Sequence, residues 1–231
     1  MKKFCLLTTT LSMALVSVQA QIPKGTKLIG GTINYNRTSV DQTYTYPYQV
    51  PNQRKLESTQ RTFTVNPRVG AFISENLAVG LAAAFNSNKH VSPYYTAAGD
   101  LGKQVNTSKG FSVAPFLRYY YMPTENFGVF GELTAGYSYQ KGKTRADSSD
   151  VYQTTGFSKG GFARITPALV FFPTNKLGVE LSFGSIGYSR NHNELKALQP
   201  NQSASDSREN SFGASFGLDY LSLGASLYLG R

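Results

Sequence analysis

The sequence predicts an all-β fold, an eight-stranded antiparallel up-and-down β-barrel. Three observations lead to it: long segments alternate large apolar residues with small or polar ones, a strand–turn–strand unit repeats, and only 16% of the 231 residues are charged. Side chains at a spacing of two lie on the same face of a β-strand. Because no stretch carries a sustained apolar stripe at helical spacing, we expect no substantial helix.

The first twenty residues have the features of a secretory signal peptide. Lys2 and Lys3 form a basic start, residues 4–18 are apolar or hydroxyl-bearing, and Val18-Gln19-Ala20 offers small residues for cleavage. The alternative, a membrane anchor, is disfavoured because the stretch is short and rich in Thr and Ser. We expect a signal peptide at 1–20 and one β-barrel domain at 21–231. The only cysteine, Cys5, would leave with the peptide, so the mature chain would have no disulfide and no cysteine-based metal site.

A repeated unit organises the rest of the chain. The segments 77–79, 127–129 and 177–179 read Leu-Ala-Val, Phe-Gly-Val and Leu-Gly-Val, and a short turn rich in Asn, Pro and Thr or Ser precedes each of them. The first strand of each unit contains a proline (Pro67, Pro115 and Pro167). Since proline cannot donate to a β-ladder, we expect a bulge or a locally broken pair at each one.

Longer polar stretches separate the units. They lie at about residues 38–58, 87–109, 142–157 and 190–208 and hold most of the Lys, Arg, Asn, Ser and Asp. With a first strand at about 27–37 and a last at about 208–230, the count is eight strands, three short turns and four long loops. We also expect a bulge near Asp219-Tyr220, because the apolar residues change face there.

The two faces of the strands indicate the solvent. The face with the prolines is an unbroken run of large apolar residues, while the opposite face is small, hydroxylated and occasionally charged. Aromatic residues mark both ends of the apolar face, as at a membrane interface. We therefore expect a transmembrane barrel with three short periplasmic turns and four long extracellular loops. A soluble lipocalin-like barrel, with the apolar face inside, is the alternative.

Five charged residues fall on the inward face: Arg68, Arg118, Glu132, Arg164 and Glu180. Charges in mid-strand are costly unless paired or hydrated, and eight strands leave a lumen just filled by side chains. We expect a structural Arg–Glu network across the lumen, with a conducting passage as the alternative. Phe72, Tyr120 and Phe172 also face inward and are expected to plug the turn-side end.

The chain resembles the outer-membrane β-barrel domain family, small eight-stranded barrels similar to the transmembrane domain of OmpA. The resemblance covers about residues 25–231 and is carried best by residues 66–72 followed by 75–80. It implies a location in the outer membrane of a Gram-negative cell, with outer-membrane lipid, lipopolysaccharide and the barrel-insertion machinery as partners. Members of this family commonly end in an aromatic residue, whereas this chain ends in Gly230-Arg231, which makes Tyr228 the candidate for a displaced insertion signal.

The motifs and the charge of +10 exclude several classes of function. No phosphate-binding loop, metalloprotease motif or nucleotide fingerprint is present, so we expect no cofactor and no metal site. The basic residues are scattered over separate loops, which argues against nucleic-acid binding and suits an anionic lipopolysaccharide surface. His90 and His192 lie in predicted loops without a catalytic motif.

Alternate tyrosines in the first long loop, Tyr44, Tyr46 and Tyr48, are candidates for contact with a surface ligand of unknown identity. The expected function is non-enzymatic and structural or surface-interactive: envelope integrity, adhesion or ligand contact through the extracellular loops. The alternatives are a narrow passive porin and a lipid hydrolase or acyltransferase at the barrel rim.

Overall fold

The computed structural model describes residues 21–45, 53–95, 101–146, 151–197 and 203–231. The predicted signal peptide at 1–20 and the tyrosines Tyr46 and Tyr48 lie outside the described residues. In the described part of the chain, no helix is long and apolar enough to cross a membrane.

Ten strand segments account for most of the described residues. They are β1 (Lys27–Thr45), β2 (Gln53–Ser74), β3 (Leu77–Tyr95), β4 (Leu101–Tyr121), β5 (Phe127–Ala146), β6 (Gln153–Phe171), β7 (Leu177–Ser182), β8 (Gly184–Leu195), β9 (Ser205–Phe216) and β10 (Ser222–Leu229). β7 and β8 together occupy one position beside β6, and β9 and β10 together occupy the next.

All pairings are antiparallel, and every strand position pairs with its neighbours in the chain. The last segment, β10, pairs with β1 from Lys27↔Leu229 to Thr32↔Gly224, which closes the sheet into a ring of eight positions. This closed antiparallel ring confirms the predicted fold class.

The strands continue well into the polar stretches expected as loops. β1 runs to Thr45 and β2 begins at Gln53, and the register continues in pairs such as Asp41↔Glu57 and Thr45↔Gln53. The alternation of apolar and polar residues stops at the edge of the apolar exterior. The ladder of backbone hydrogen bonds continues beyond that edge. The sequence pattern therefore marks the extent of the apolar surface rather than the ends of the strands.

Each mid-strand proline coincides with a local gap in pairing, as expected. The ladder between β2 and β3 lacks pairs at Asn66 and Pro67, and the ladder between β4 and β5 lacks pairs at Ala114 and Pro115. At Pro167, β6 passes from pairing with β8 to pairing with β7. A missing N–H removes one ladder bond at each site, while the opposite edge of the strand stays paired.

The last two strand positions are both interrupted at the same height. β7 and β8 meet at Gly184 (φ +135°), and a single 3₁₀ turn, Leu218–Tyr220, follows Gly217 (φ +140°) between β9 and β10. The Gly217 N–H donates to the Phe183 carbonyl at 3.2 Å, which joins the two interruptions. Outward residues are odd-numbered in β7 and β10 but even-numbered in β8 and β9, so the predicted face switch near Asp219-Tyr220 is confirmed.

The two faces of the barrel lie as the alternation predicts. Large apolar side chains are exposed on the outside, among them Val69, Leu81, Leu117, Ile165 and Leu227. Aromatic side chains occur at both ends of this band, and Phe111, Tyr139 and Phe157 form a continuous row on neighbouring strands. The interior holds charged, small and aromatic residues.

Candidate functional site: the lumen and the loop-side surface

A fully buried guanidinium, that of Arg118, lies at the centre of the lumen. Its Nη1 and Nη2 donate to Oε1 and Oε2 of Glu180 at 2.9 and 3.1 Å, a bidentate pair. Its Nε donates to Glu132, which lies directly opposite Arg118 on the neighbouring strand. Two carboxylates thus share this one buried cation.

Arg68 reaches the same carboxylates from the other side of the barrel. Its Nη1 is 3.3 Å from Oε2 of Glu132 and 3.7 Å from Oε2 of Glu180. The structure therefore brings together four of the five inward charges named from the sequence. They come from β2, β4, β5 and β7, so the network connects opposite walls of the barrel.

Arg164, the fifth of these residues, is placed differently. Its side chain is exposed to the lumen, and it makes no ion pair with any carboxylate among the residues described. Its guanidinium carbon lies 5.9 Å from the centroid of the Phe162 ring. Arg164 is therefore a cation at the wall of the lumen without a counter-ion from the described chain.

An aromatic floor lies on the turn side of the network. Phe72, Tyr120 and Phe172, named from the sequence, are buried there together with Tyr228. Ring centroids are 5.4 Å apart for Phe72 and Tyr120 and 4.8 Å apart for Phe172 and Tyr228. The Tyr228 hydroxyl donates to Oε1 of Glu180 at 3.1 Å and lies 3.0 Å from the Tyr120 hydroxyl, so it joins the floor to the charges.

The sequence interpretation missed the position of Tyr228 in this floor. Consecutive floor residues are 48 and 52 residues apart up to Phe172, but Tyr228 follows after 56 residues, with the 3₁₀ turn Leu218–Tyr220 in between. Counting alternate residues back from Leu229 would have shown that Tyr228 faces inward. The four floor residues also occupy equivalent positions in the backbone, because the N–H of each donates to a carbonyl near a turn. In order, Phe72, Tyr120, Phe172 and Tyr228 donate to the carbonyls of Thr26, Asn76, Asn126 and Lys176.

Residues that directly follow the predicted cleavage site cover this floor. Ile22 is fully buried in the same cluster. Its N–H donates to Oδ1 of Asn76 at 2.8 Å and its carbonyl accepts from the Asn76 N–H at 3.1 Å. Asn76 has the left-handed conformation (φ 60°) that the tight turn requires and that Asn tolerates well. The turn-side end of the lumen is thereby closed.

A cavity of about 320 Å³ lies above the network. Its wall contains the charged residues Arg68, Glu132, Arg164 and Glu180. The rest of the wall is mainly small or hydroxyl-bearing, as in Thr32, Asn66, Ser112, Ser182, Ser222 and Gly224. The cavity is a polar cup with a closed floor.

The two histidines occupy different surroundings on the loop side. Nε2 of His192 lies 3.2 Å from Oε1 of Glu194, and its Nδ1 lies 3.3 Å from Oδ1 of Asp206. Glu194 also accepts from Lys159 at 3.1 Å, and this contact lowers the pKa of its carboxyl. His90 is on β3 opposite Asn106. His192 is thus held by carboxylates, and no serine hydroxyl is hydrogen-bonded to it in the part of the chain described.

Of the three candidate contact tyrosines, Tyr44 alone lies in a described strand, β1, opposite Arg54. β1 thus continues to Thr45, well past the exposed apolar residues Ile29 and Ile33.

No protein-family model matches this chain, and no curated protein matches it. Solved structures similar to it include Neisserial surface protein A (13% identity, 90% of this chain and 98% of that one, TM-score 0.33). Ail, the attachment invasion locus protein of Yersinia pestis, is similar at 13% identity, over 89% of this chain and 98% of that one, with a TM-score of 0.34. The same protein in complex with the heparin analogue sucrose octasulfate gives 15% identity, the same coverage and a TM-score of 0.35.

This chain is a small antiparallel β-barrel of eight positions. The ring of pairings in the chain itself shows this architecture, which is the one predicted from the alternation and the repeated units. The barrel combines an apolar exterior, a charged interior and a closed turn-side floor.

Proposed function

We propose that this barrel spans the outer membrane and has a structural or surface-interaction role without enzymatic activity. The observation that supports it is the inversion of the barrel faces: large apolar side chains are exposed outside, whereas Arg118, Glu132 and Glu180 are buried inside. In water such an exterior would be costly, and in lipid it is the expected one. Where the ladder between β1 and β10 closes the ring, from Lys27 to Thr32, the backbone of both edge strands is satisfied as well.

Gel mobility of the full chain from isolated outer membranes, with and without boiling, tests this proposal. A folded membrane barrel resists detergent, so we expect the unheated protein to migrate differently from the boiled protein. Recovery of an unshifted protein in the soluble periplasm would contradict the proposal and favour the lipocalin-like alternative.

The closed floor favours a structural role over passive conduction. The aromatic cluster fills the turn-side end of the lumen, and Ile22 covers it. A passive porin needs a continuous aqueous path. We expect the reconstituted protein to show no steady conductance in planar bilayers; a stable open channel would favour the porin alternative.

A band of basic residues above the loop-side aromatic residues supports contact with lipopolysaccharide. Arg37 lies directly opposite Arg61, and Arg61 lies opposite Lys89. All three are exposed on the outside of the barrel. Like charges directly opposite one another destabilise a sheet, and phosphate groups between them would relieve that repulsion.

Replacing this trio by glutamine (Arg37→Gln, Arg61→Gln, Lys89→Gln) tests the contact. Wild-type protein should unfold at a higher temperature in vesicles with lipopolysaccharide than in phosphatidylcholine alone, and the variant should lose most of that difference. A matched control, Lys27→Gln with Lys176→Gln, removes two cations from the turn side of the barrel. This control should keep the wild-type difference in unfolding temperature between the two kinds of vesicle. Equal stabilisation of all three proteins would exclude a specific basic band.

The hairpin beyond the apolar band is the proposed place for a surface ligand, with Tyr44, Tyr46 and Tyr48 as contact residues. Replacement of all three by Ser should reduce adhesion of whole cells that express the protein, with no change in the heat-dependent gel shift. Unchanged adhesion would remove these tyrosines from the proposal.

A further inference from the structure

The ring of strands is complete only on the turn side. β1 pairs with β10 from Lys27 to Thr32, and from Ile33 to Thr45 it pairs with β2 alone. β9 pairs with β8, and no ladder joins it to β1 within the described ranges. We name this opening between β1 and β9, above Thr32 and Gly224, the seam.

The most exposed large apolar side chains of the described chain border the seam, apart from Val151 near a loop tip. Leu218, Phe212, Ile33 and Leu223 are 84%, 76%, 72% and 66% exposed. Corresponding residues on the complete part of the wall, such as Leu117 and Leu133, are 40% and 45% exposed. The seam therefore has apolar edges on both sides and lies partly within the apolar band.

The polar cup adjoins the lower end of the seam. Thr32 of β1 and Gly224 of β10, the last residues paired across this junction, both line the cup. The cup therefore reaches the point where the ladder between β1 and β10 ends and the seam begins.

The cup also has an excess of positive charge. Three luminal arginines face two glutamates, and Arg118 with Arg68 already occupies both carboxylates. Arg164 has no carboxylate partner in the described chain, and the buried Nε of Arg68 has no hydrogen-bond acceptor there. Arg164 and Arg68 both line the cup, and guanidinium groups are donors for an anion.

We propose that the cup binds the anionic headgroup of a single-chain amphiphile from the outer leaflet, whose acyl chain leaves through the seam. Arg164, with Arg68 beside it on the wall of the cup, would hold the headgroup, and the edge of Ile33, Phe212 and Leu218 would contact the chain. A cavity of about 320 Å³ has room for a headgroup and a few methylenes, so the rest of the chain must lie in the seam. The proposal rests on the membrane location proposed above.

The headgroup part is tested by NMR with two probes in uncharged micelles. Dodecanoate labelled with ¹³C at the carboxyl group and monododecyl phosphate followed by ³¹P distinguish a carboxylate from a phosphate ligand. We expect a separate bound resonance for at least one probe, and about tenfold weaker binding in Arg164→Gln, the loss of one charge-assisted contact. The control Arg190→Gln removes an exposed outward arginine and should bind as the wild type does.

The seam part is tested by fluorescence quenching in a Cys5→Ser background, which leaves no other cysteine. A fluorophore is attached to Ile33→Cys at the seam or to Leu133→Cys on the complete wall. 12-Bromododecanoate, brominated at the chain end, should quench the seam fluorophore more strongly than the wall fluorophore, and in Arg164→Gln about tenfold more probe should be needed for the same difference.

Two results would overturn the proposal: no bound resonance for either probe in wild-type protein, or equal quenching at the two labelled positions. Each variant is first shown to have the heat-dependent gel shift. If the protein shows the gel shift but binds no probe, only the proposed ligand site in the cup is refuted. If the protein shows no gel shift, the proposed membrane barrel is refuted.

Discussion

At the scale of single residues, the central feature is a buried cation held by two carboxylates. Burial of Arg118 removes its hydration, and the bidentate contact with Glu180 together with Glu132 replaces it. Such a network adds little stability compared with a well-packed apolar core, but the loss of one partner is costly because a buried charge stays behind.

Glu180→Gln should therefore destabilise the barrel by about 3 kcal/mol. Because the chain has no Trp, unfolding by urea in lipid vesicles is followed by far-UV circular dichroism. Glu194→Gln breaks an exposed ion pair with Lys159 and should leave the unfolding midpoint almost unchanged. Equal effects of the two substitutions would mean that the luminal network is as well hydrated as the surface.

Tyr228→Phe removes one hydroxyl that contacts both Glu180 and Tyr120. The ring remains packed against Phe172, so the loss should come from hydrogen bonding alone, about 1–2 kcal/mol in the free energy of unfolding. Tyr188→Phe, which loses an exposed contact with Asn210, is the matched control. No difference between the two variants in urea would show that the Tyr228 hydroxyl is dispensable.

Alternation was sufficient to predict which charges face inward, because the face of a strand residue depends only on parity. It was insufficient to predict the partners. Arg118 and Glu132 are opposite one another on neighbouring strands, but Arg68 and Glu180 meet them across the lumen, where distance depends on register and barrel diameter. Arg164 has the same parity as Arg68 yet stays outside the ion pairs.

At the scale of elements, the interrupted strand pairs β7–β8 and β9–β10 differ most from a regular barrel. Gly184 has a positive φ, and a Cβ there would collide with the carbonyl oxygen of Ser215. The backbone can switch faces at this point because glycine adopts this conformation without strain.

Gly184→Ala should therefore destabilise the barrel by about 2 kcal/mol, the usual cost of a forced backbone conformation. Gly213→Ala is the control, since a Cβ at that position meets nothing within 4 Å. Both are compared by the temperature at which the gel shift is lost. If Gly184→Ala behaves like the control, the face switch does not need a glycine.

The gaps in pairing at the prolines and the position of the face switch could be predicted from the sequence, whereas the lengths of the strands could not. A proline has the same effect on a ladder in any sheet, and a change of parity is visible in the residues themselves. The hairpins continue beyond the apolar band with no apolar pattern to mark them. The open seam was not predictable either, because the residues of β1 and β9 do not reveal whether the two strands pair.

At the scale of the whole molecule, the turn-side end is closed by residues far apart in the chain. Ile22 is buried in a cluster with side chains from β2, β4 and β10. Asn76 is hydrogen-bonded to both the N–H and the carbonyl of Ile22.

Ile22→Ala should thus cost about 2 kcal/mol or more of unfolding free energy, because a buried side chain leaves a cavity that rigid strands cannot fill. Gln21→Ala, one residue earlier and exposed, should have no effect on urea unfolding. A wild-type midpoint for Ile22→Ala would show that the amino-terminal segment leaves the floor in the membrane.

The six-pair ladder between β1 and β10 also bears on the order of folding. Every other ladder joins strand positions that follow one another in the chain, with β7 and β8 as one position and β9 and β10 as the next, so each closes a shorter loop at a smaller entropic cost. The ladder from Lys27↔Leu229 to Thr32↔Gly224 joins the two ends of the chain and must wait until the intervening strands have formed. The sheet would thus assemble hairpin by hairpin and close at this ladder last, which makes the same junction the first to open when the protein unfolds.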